Sequence, residues 1–134
     1  MRHNTVVLDT PEAIERHLGV AIEPAGFDDP AVRFVLCDGA NQVLAHCHVR
    51  ALPADLSAAD CARALSVFVG VLADGGDGAL LLALLRPGPP SLCPADGLWF
   101  RTAHEVCAEH RVRLLGVHVV TPHGQREVRW DDAL

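Results

Sequence analysis

The segment Ala79-Leu80-Leu81-Leu82-Ala83-Leu84-Leu85 is unbroken hydrocarbon. It passes at once into Arg86-Pro87-Gly88-Pro89-Pro90-Ser91-Leu92-Cys93-Pro94-Ala95-Asp96, a loop carrying four prolines. Leu and Ala favour helices. Asp74-Gly75-Gly76-Asp77-Gly78 on one side and Pro87 on the other leave too little chain for one, so the run reads as a strand buried on both faces. Ala95 then opens an amphipathic helix to about His110, with Trp99, Ala103, Val106 and His110 on one side and Thr102, Glu105 and Glu109 on another. Trp99 and Phe100 are adjacent and cannot both face the core, so one is expected at an interface.

Arg113 to Thr121 reads as a strand, Pro122-His123-Gly124 as a turn and Gln125 to Trp130 as a last edge strand. Upstream, Ser57 begins a helix to about Ala73 with Cys61, Leu65, Phe68 and Leu72 at helical spacing. Apolar residues around most of its circumference predict a central, buried helix. Asp60 favours the positive helix end, though its side chain is shorter than the Glu of a capping box. Val32 to Cys37, Asp38-Gly39 and Gln42 to Ala51 form a hairpin. Val43, Ala45, Cys47 and Val49 alternate with Gln42, Leu44, His46, His48 and Arg50. Thr5 to Asp9 is a short strand or extended lead-in. Thr10-Pro11-Glu12 starts a helix to about Leu18 with Ala13, Ile14 and Leu18 on one face, and Gly26 to Pro30 is a loop. The order α-β-β-α-β-α-β-β describes an α/β fold, a mixed sheet flanked by helices, in a single domain over 1–134.

Half of the 134 residues are hydrophobic and 21% are charged, enough apolar material for a core. No apolar run approaches the ~20 residues of a membrane helix, and the first residues lack the hydrophobic region of a signal peptide. A cytoplasmic protein without membrane contact is expected. The net charge is −6 and all eleven basic residues are scattered Arg. No basic stripe for a phosphate backbone is legible, so no nucleic-acid partner is expected. The lack of Lys beside abundant Ala, Arg, Gly and Pro suggests a GC-rich bacterial genome. Cys37, Cys47, Cys61, Cys93 and Cys107 contain no Cys-x-x-Cys pair, so zinc ribbons and thioredoxin-type sites are not indicated.

In its order of elements and its proline-rich loop the chain resembles the JAB/JAMM (MPN-like) metalloprotease domain, especially the RadC-type branch, over roughly Asp9 to Val128. That family carries His-x-His-Pro-Ser-Gly after the strand and Ser-x-x-Asp at the helix start. The two His and the Asp hold zinc, and a Glu near the first hairpin strand is the general acid/base. Here Leu84-Leu85-Arg86-Pro87-Gly88 stands at the first motif and Cys93-Pro94-Ala95-Asp96 at the second, with a loop one residue shorter. The Glu position falls near Pro30, beside Asp28 and Asp29. Arg113-Leu114-Leu115-Gly116-Val117-His118 looks like the family's strand after the helix. The resemblance implies a degenerate member whose vestigial site is Leu84, Arg86, Cys93 and Asp96. Only Asp96 remains of the ligands, and Arg86 would repel a cation.

A non-catalytic domain for protein interaction or scaffolding, with a protein partner or as a homodimer and without cofactor, is therefore expected. An Arg86–Asp96 pair filling the zinc position is the preferred reading of those residues. The alternative is a metal-dependent hydrolase or isopeptidase with a rearranged site drawing on His46, His48, His118 and Asp96. A third reading gives Cys93, at a helix N-terminus, thiol chemistry. His46 and His48 share a strand face, where a solvated hairpin surface is the simpler account. His104, Cys107 and His110 span about 600° of helix and do not converge.

Overall fold

The computed structural model describes residues 6–21, 29–50 and 55–133. Its elements follow in the order α1 (Pro11–Ala21), β1 (Ala31–Asp38), β2 (Val43–Val49), α2 (Ala58–Asp74), β3 (Gly78–Leu85), α3 (Pro94–Glu109), β4 (Arg113–Thr121) and β5 (Gly124–Glu127), then a 3₁₀ turn, Trp130–Ala133. The fold is α/β. Five strands form one mixed sheet ordered β2-β1-β3-β4-β5, in which only β3 and β4 run parallel. The Asp28 position lies outside the described residues; Asp29 is exposed.

The hydrocarbon run is the middle strand, and all eight residues of β3 are buried. Leu80, Leu82 and Leu84 join Val32, Phe34, Val117 and Val119 beneath α2 and α3. Ala79, Leu81, Ala83 and Leu85 face the other way, with Leu8, Ile14 and Leu18 of the lead-in and α1. Two apolar faces on one strand explain why helix propensity gives way: only a central strand buries every residue of so short a run. The lead-in is extended, and Val7 makes an isolated bridge to Gln42.

Four details depart from the sequence reading. First, Leu36 pairs with Ala45 and Cys37 with Val43, so Leu44 is an extra residue in β2. This bulge turns Val43 to the α1 side, while Cys47 and Val49 pack on the opposite side. Second, α2 is an outer helix. It buries Cys61, Leu65, Val69 and Leu72 and leaves Val67 62% and Val71 61% exposed. Third, Asp60 does complete a capping box. Its Oδ2 accepts the Ser57 N–H at 3.0 Å while the Asp60 N–H donates to Ser57 Oγ at 3.2 Å. The extended backbone at Ser57 (φ −106°, ψ 165°) folds that N–H back over the first turn and makes up for the missing methylene.

Fourth, β5 ends at Glu127. Asp132 accepts the Arg129 N–H at 3.0 Å and an Arg126 Nη2 bond at 3.1 Å, which winds the chain into the 3₁₀ turn. Trp130 then lies edge-on over Phe100 at 4.8 Å between ring centres. That cover lets both neighbours be buried. Trp99 points to Phe34 (6.3 Å) and Phe100 sits beneath Trp130 and beside His104 (4.5 Å).

Candidate functional site

The end of β3 and the start of α3 meet at a cavity of about 450 Å³, lined by Leu84, Arg86, Cys93, Asp96, Trp99 and Pro30 among others. Leu84, Arg86, Cys93 and Asp96, the four residues singled out in the sequence, all line it. Pro94 at the first helical position and the extended Cys93 before it set the helix start. Asp96 is thereby placed one turn in, where its carboxylate accepts the Cys93 N–H at 2.8 Å. Helix start and strand end are then clamped by Arg86. Its Nη1 donates to Asp96 Oδ1 and its Nη2 to Oδ2, both at 2.7 Å, and Nη2 also reaches the Ser91 carbonyl at 2.5 Å.

Asp96 is 2% exposed, and its buried charge is met by a two-pronged cation and a helix-terminal amide. The carboxylate holds the Arg86 guanidinium above its ordinary pKa, so the cation is permanent. Leu84 contributes only hydrocarbon. A metal in this cavity would have to displace Arg86 from both Asp96 oxygens and would find no imidazole among the described residues that line it. For the same reason Cys93, although exposed, has no imidazole base among the described residues of the cavity.

The histidines offered as alternative ligands lie elsewhere and apart. His48 pairs in register with Arg33, Arg33 with Ala83 and Ala83 with His118. His48 and His118 thus stand three strand spacings apart, about 14 Å. His46 is one residue pair along β2 and turns to α1. Its Nε2 is 2.8 Å from His17 Nε2, with the rings stacked at 5.0 Å. One imidazole must donate and the other accept. Sequence reasoning missed His17 because α1 crosses the hairpin through a contact that no local spacing announces. The Arg33 Nη2 donates to His48 Nδ1 at 3.5 Å.

His110 bonds its own helix carbonyl at Val106 (3.0 Å), and His104 packs on Phe100 and Trp130. Burial pushes the thiols of Cys61 and Cys107 up to about 12. Among the described residues, no three His, Cys, Asp or Glu side chains gather as a metal site, and no helix is long and apolar enough to cross a membrane.

A scan against protein-family models, a search of curated proteins and a search of solved structures found no match.

Burial lowers the pKa of His17, His46, His48 and His118 below the ordinary histidine value, and Arg33 adds to the shift for the first three. The unfolded chain therefore takes up protons near pH 6.5 that the folded chain still refuses. Stability is expected to be fully present above that pH, to fall as pH drops through the lowered values, and then to level off. Urea midpoints at about pH 7.5 and about pH 5.5 check this, with a smaller drop expected for His17→Gln/His46→Gln. A midpoint that rises on acidification would reverse the sign.

Proposed function

We propose that this chain is a non-catalytic JAB-like domain of the RadC type, and that it works by binding another protein chain. The observation that carries the reading is the Arg86–Asp96 pair. At the two positions where the family's zinc ligands would stand and the third one remains, the chain has a hydrocarbon, a cation and a carboxylate already committed to that cation. The pair joins β3 to α3 across the cleft, the structural task that a bound ion performs in an active relative.

The outer face of α2 gives the partner surface, and a second copy of the same helix fits it. An antiparallel copy that sets Arg63 against Asp74 also sets Val67 against Gly70 and Ser66 against Val71. Arg63, which already pairs with Asp60 one turn back at 2.5 Å and would share its charge with the partner, is exposed at one end of the stripe and Asp74 at the other. At Gly70 the space where a Cβ would sit is open, so the opposing Val67 has a hollow to enter. One register therefore satisfies the charges and the shapes together, twice over by symmetry.

Two measurements on the full chain test the reading. Equilibrium dialysis against zinc should leave no stoichiometric metal; one zinc per chain, lost in Asp96→Ala, would overturn the non-catalytic assignment. Sedimentation equilibrium should show a monomer–dimer equilibrium that Val67→Glu shifts to monomer. A wild type that stays monomeric at its solubility limit would sink the α2 surface.

A further inference from the structure

A second hollow lies on the α1 side of the sheet. Here β4 carries its own bulge: Leu80 pairs with Leu114 and Leu81 with Gly116, which leaves Leu115 as the extra residue. Bulges re-aim side chains and interrupt the flat sheet surface. Beside this one, Gly116 leaves no room for a side chain. A Cβ there would stand 3.1 Å from His118 Nε2, tighter than an ordinary contact, and 3.7 Å from Glu127 Oε2, so these two groups close over the glycine within about 7 Å of each other. The hollow holds about 240 Å³, with Leu8, Ile14 and Leu115 as apolar lining and the exposed residues Asp9, Glu15 and Glu127 lining it as well.

His118 is the unusual member. It is 4% exposed, it lines the hollow, and among the described residues its ring makes no hydrogen bond. Its ring nitrogens are not sealed inside the core, so they keep access to the hollow and can pair with a group that enters it. The nearby cations are already held. Arg113 bonds the Asn41 side chain and the Asp38 and Gly39 carbonyls, and Arg129 lies 3.8 Å from Glu127 Oε1, the oxygen other than the one beside Gly116. The Gln125 side chain donates to the Glu15 carbonyl at 2.8 Å and ties β5 to α1 along one side.

We infer that this hollow is a binding site for an organic cation, an ammonium or guanidinium group on a short aliphatic stem. The stem packs on Leu8, Ile14 and Leu115. The head donates one N–H to the neutral His118 ring and others to Glu127 and its neighbouring carboxylates. Burial keeps His118 in that neutral, accepting form at neutral pH. A bare divalent ion suits the place less, because the described donors do not gather as a metal site. The inference stands apart from the Arg86–Asp96 reading, which involves other residues and another cavity.

Agmatine, a guanidinium and an amine joined by four methylenes, is a suitable probe. Titrated into the full chain at neutral pH, it should shift the His118 ring resonances saturably. Glu127→Gln, a change at an exposed position, should weaken that binding about tenfold. His118→Gln should abolish the heat of binding in calorimetry while the far-UV spectrum is kept. A shift that stays linear with concentration, that sodium chloride of equal ionic strength reproduces, or that is unaltered in Glu127→Gln would overturn the site.

Discussion

Arg86→Leu is expected to destabilise the protein by about 2–4 kcal/mol, because it strands a buried carboxylate. Asp96 keeps only the Cys93 amide in that variant, having lost both guanidinium contacts. Breaking a buried pair costs about 3–5 kcal/mol when the remaining charge has no access to water. The Arg86 side chain is 21% exposed, so some solvent can reach the vacated space and the effect should fall toward the lower end. Adding Asp96→Asn to Arg86→Leu should recover part of the loss, since a neutral amide is far cheaper to bury than an ion. Urea denaturation at constant m-value reads both changes. A single variant more stable than wild type would mean that the pair is not a staple.

The sheet was legible because its signals are local. Ala79 to Leu85 between glycines and prolines, Asp38-Gly39 inside a hairpin, and Pro94 at a helix start each restrict the backbone within a few residues. The Arg86–Asp96 pair was also within reach, because the loop joining the two residues starts from a strand that must end beside the helix it feeds. Contacts made across the sheet were not legible. The Leu44 bulge reverses the face of Val43 with no glycine or proline to mark it. The exposure of Val67 and Val71 depends on α2 being an outer layer, which periodicity alone does not state. Trp130 caps Phe100 only because Asp132 stops the last strand early. His17 and His118 find their surroundings through strand order, so neither the pair with His46 nor the hollow beside Gly116 could be read from spacing.

The double variant Leu84→His/Arg86→His is expected to gain a zinc site with a dissociation constant of about 1 µM or below, roughly 8 kcal/mol of binding free energy. Leu84 and Arg86 are two residues apart at the end of β3, so their side chains leave the same side of the chain. Both line the cavity that Asp96 lines. Replacing Arg86 removes the competing cation and frees the Asp96 oxygens in the same step. Two imidazoles, one carboxylate and a water complete a tetrahedral zinc set. Excess zinc should then raise the thermal midpoint of the variant and leave wild type unchanged. Adding Asp96→Ala should weaken binding at least tenfold, and placing His46→Gln in the background keeps the exposed His17–His46 pair from contributing. Peptide hydrolysis is not expected to follow, because the described lining of the cavity has Pro30 and no Glu to act as acid or base. The variant discriminates sharply between likeness of fold and likeness of site. If it folds normally and binds zinc no better than wild type, Leu84 and Arg86 do not occupy the family's ligand positions, and the JAB-like assignment loses the register on which it rests.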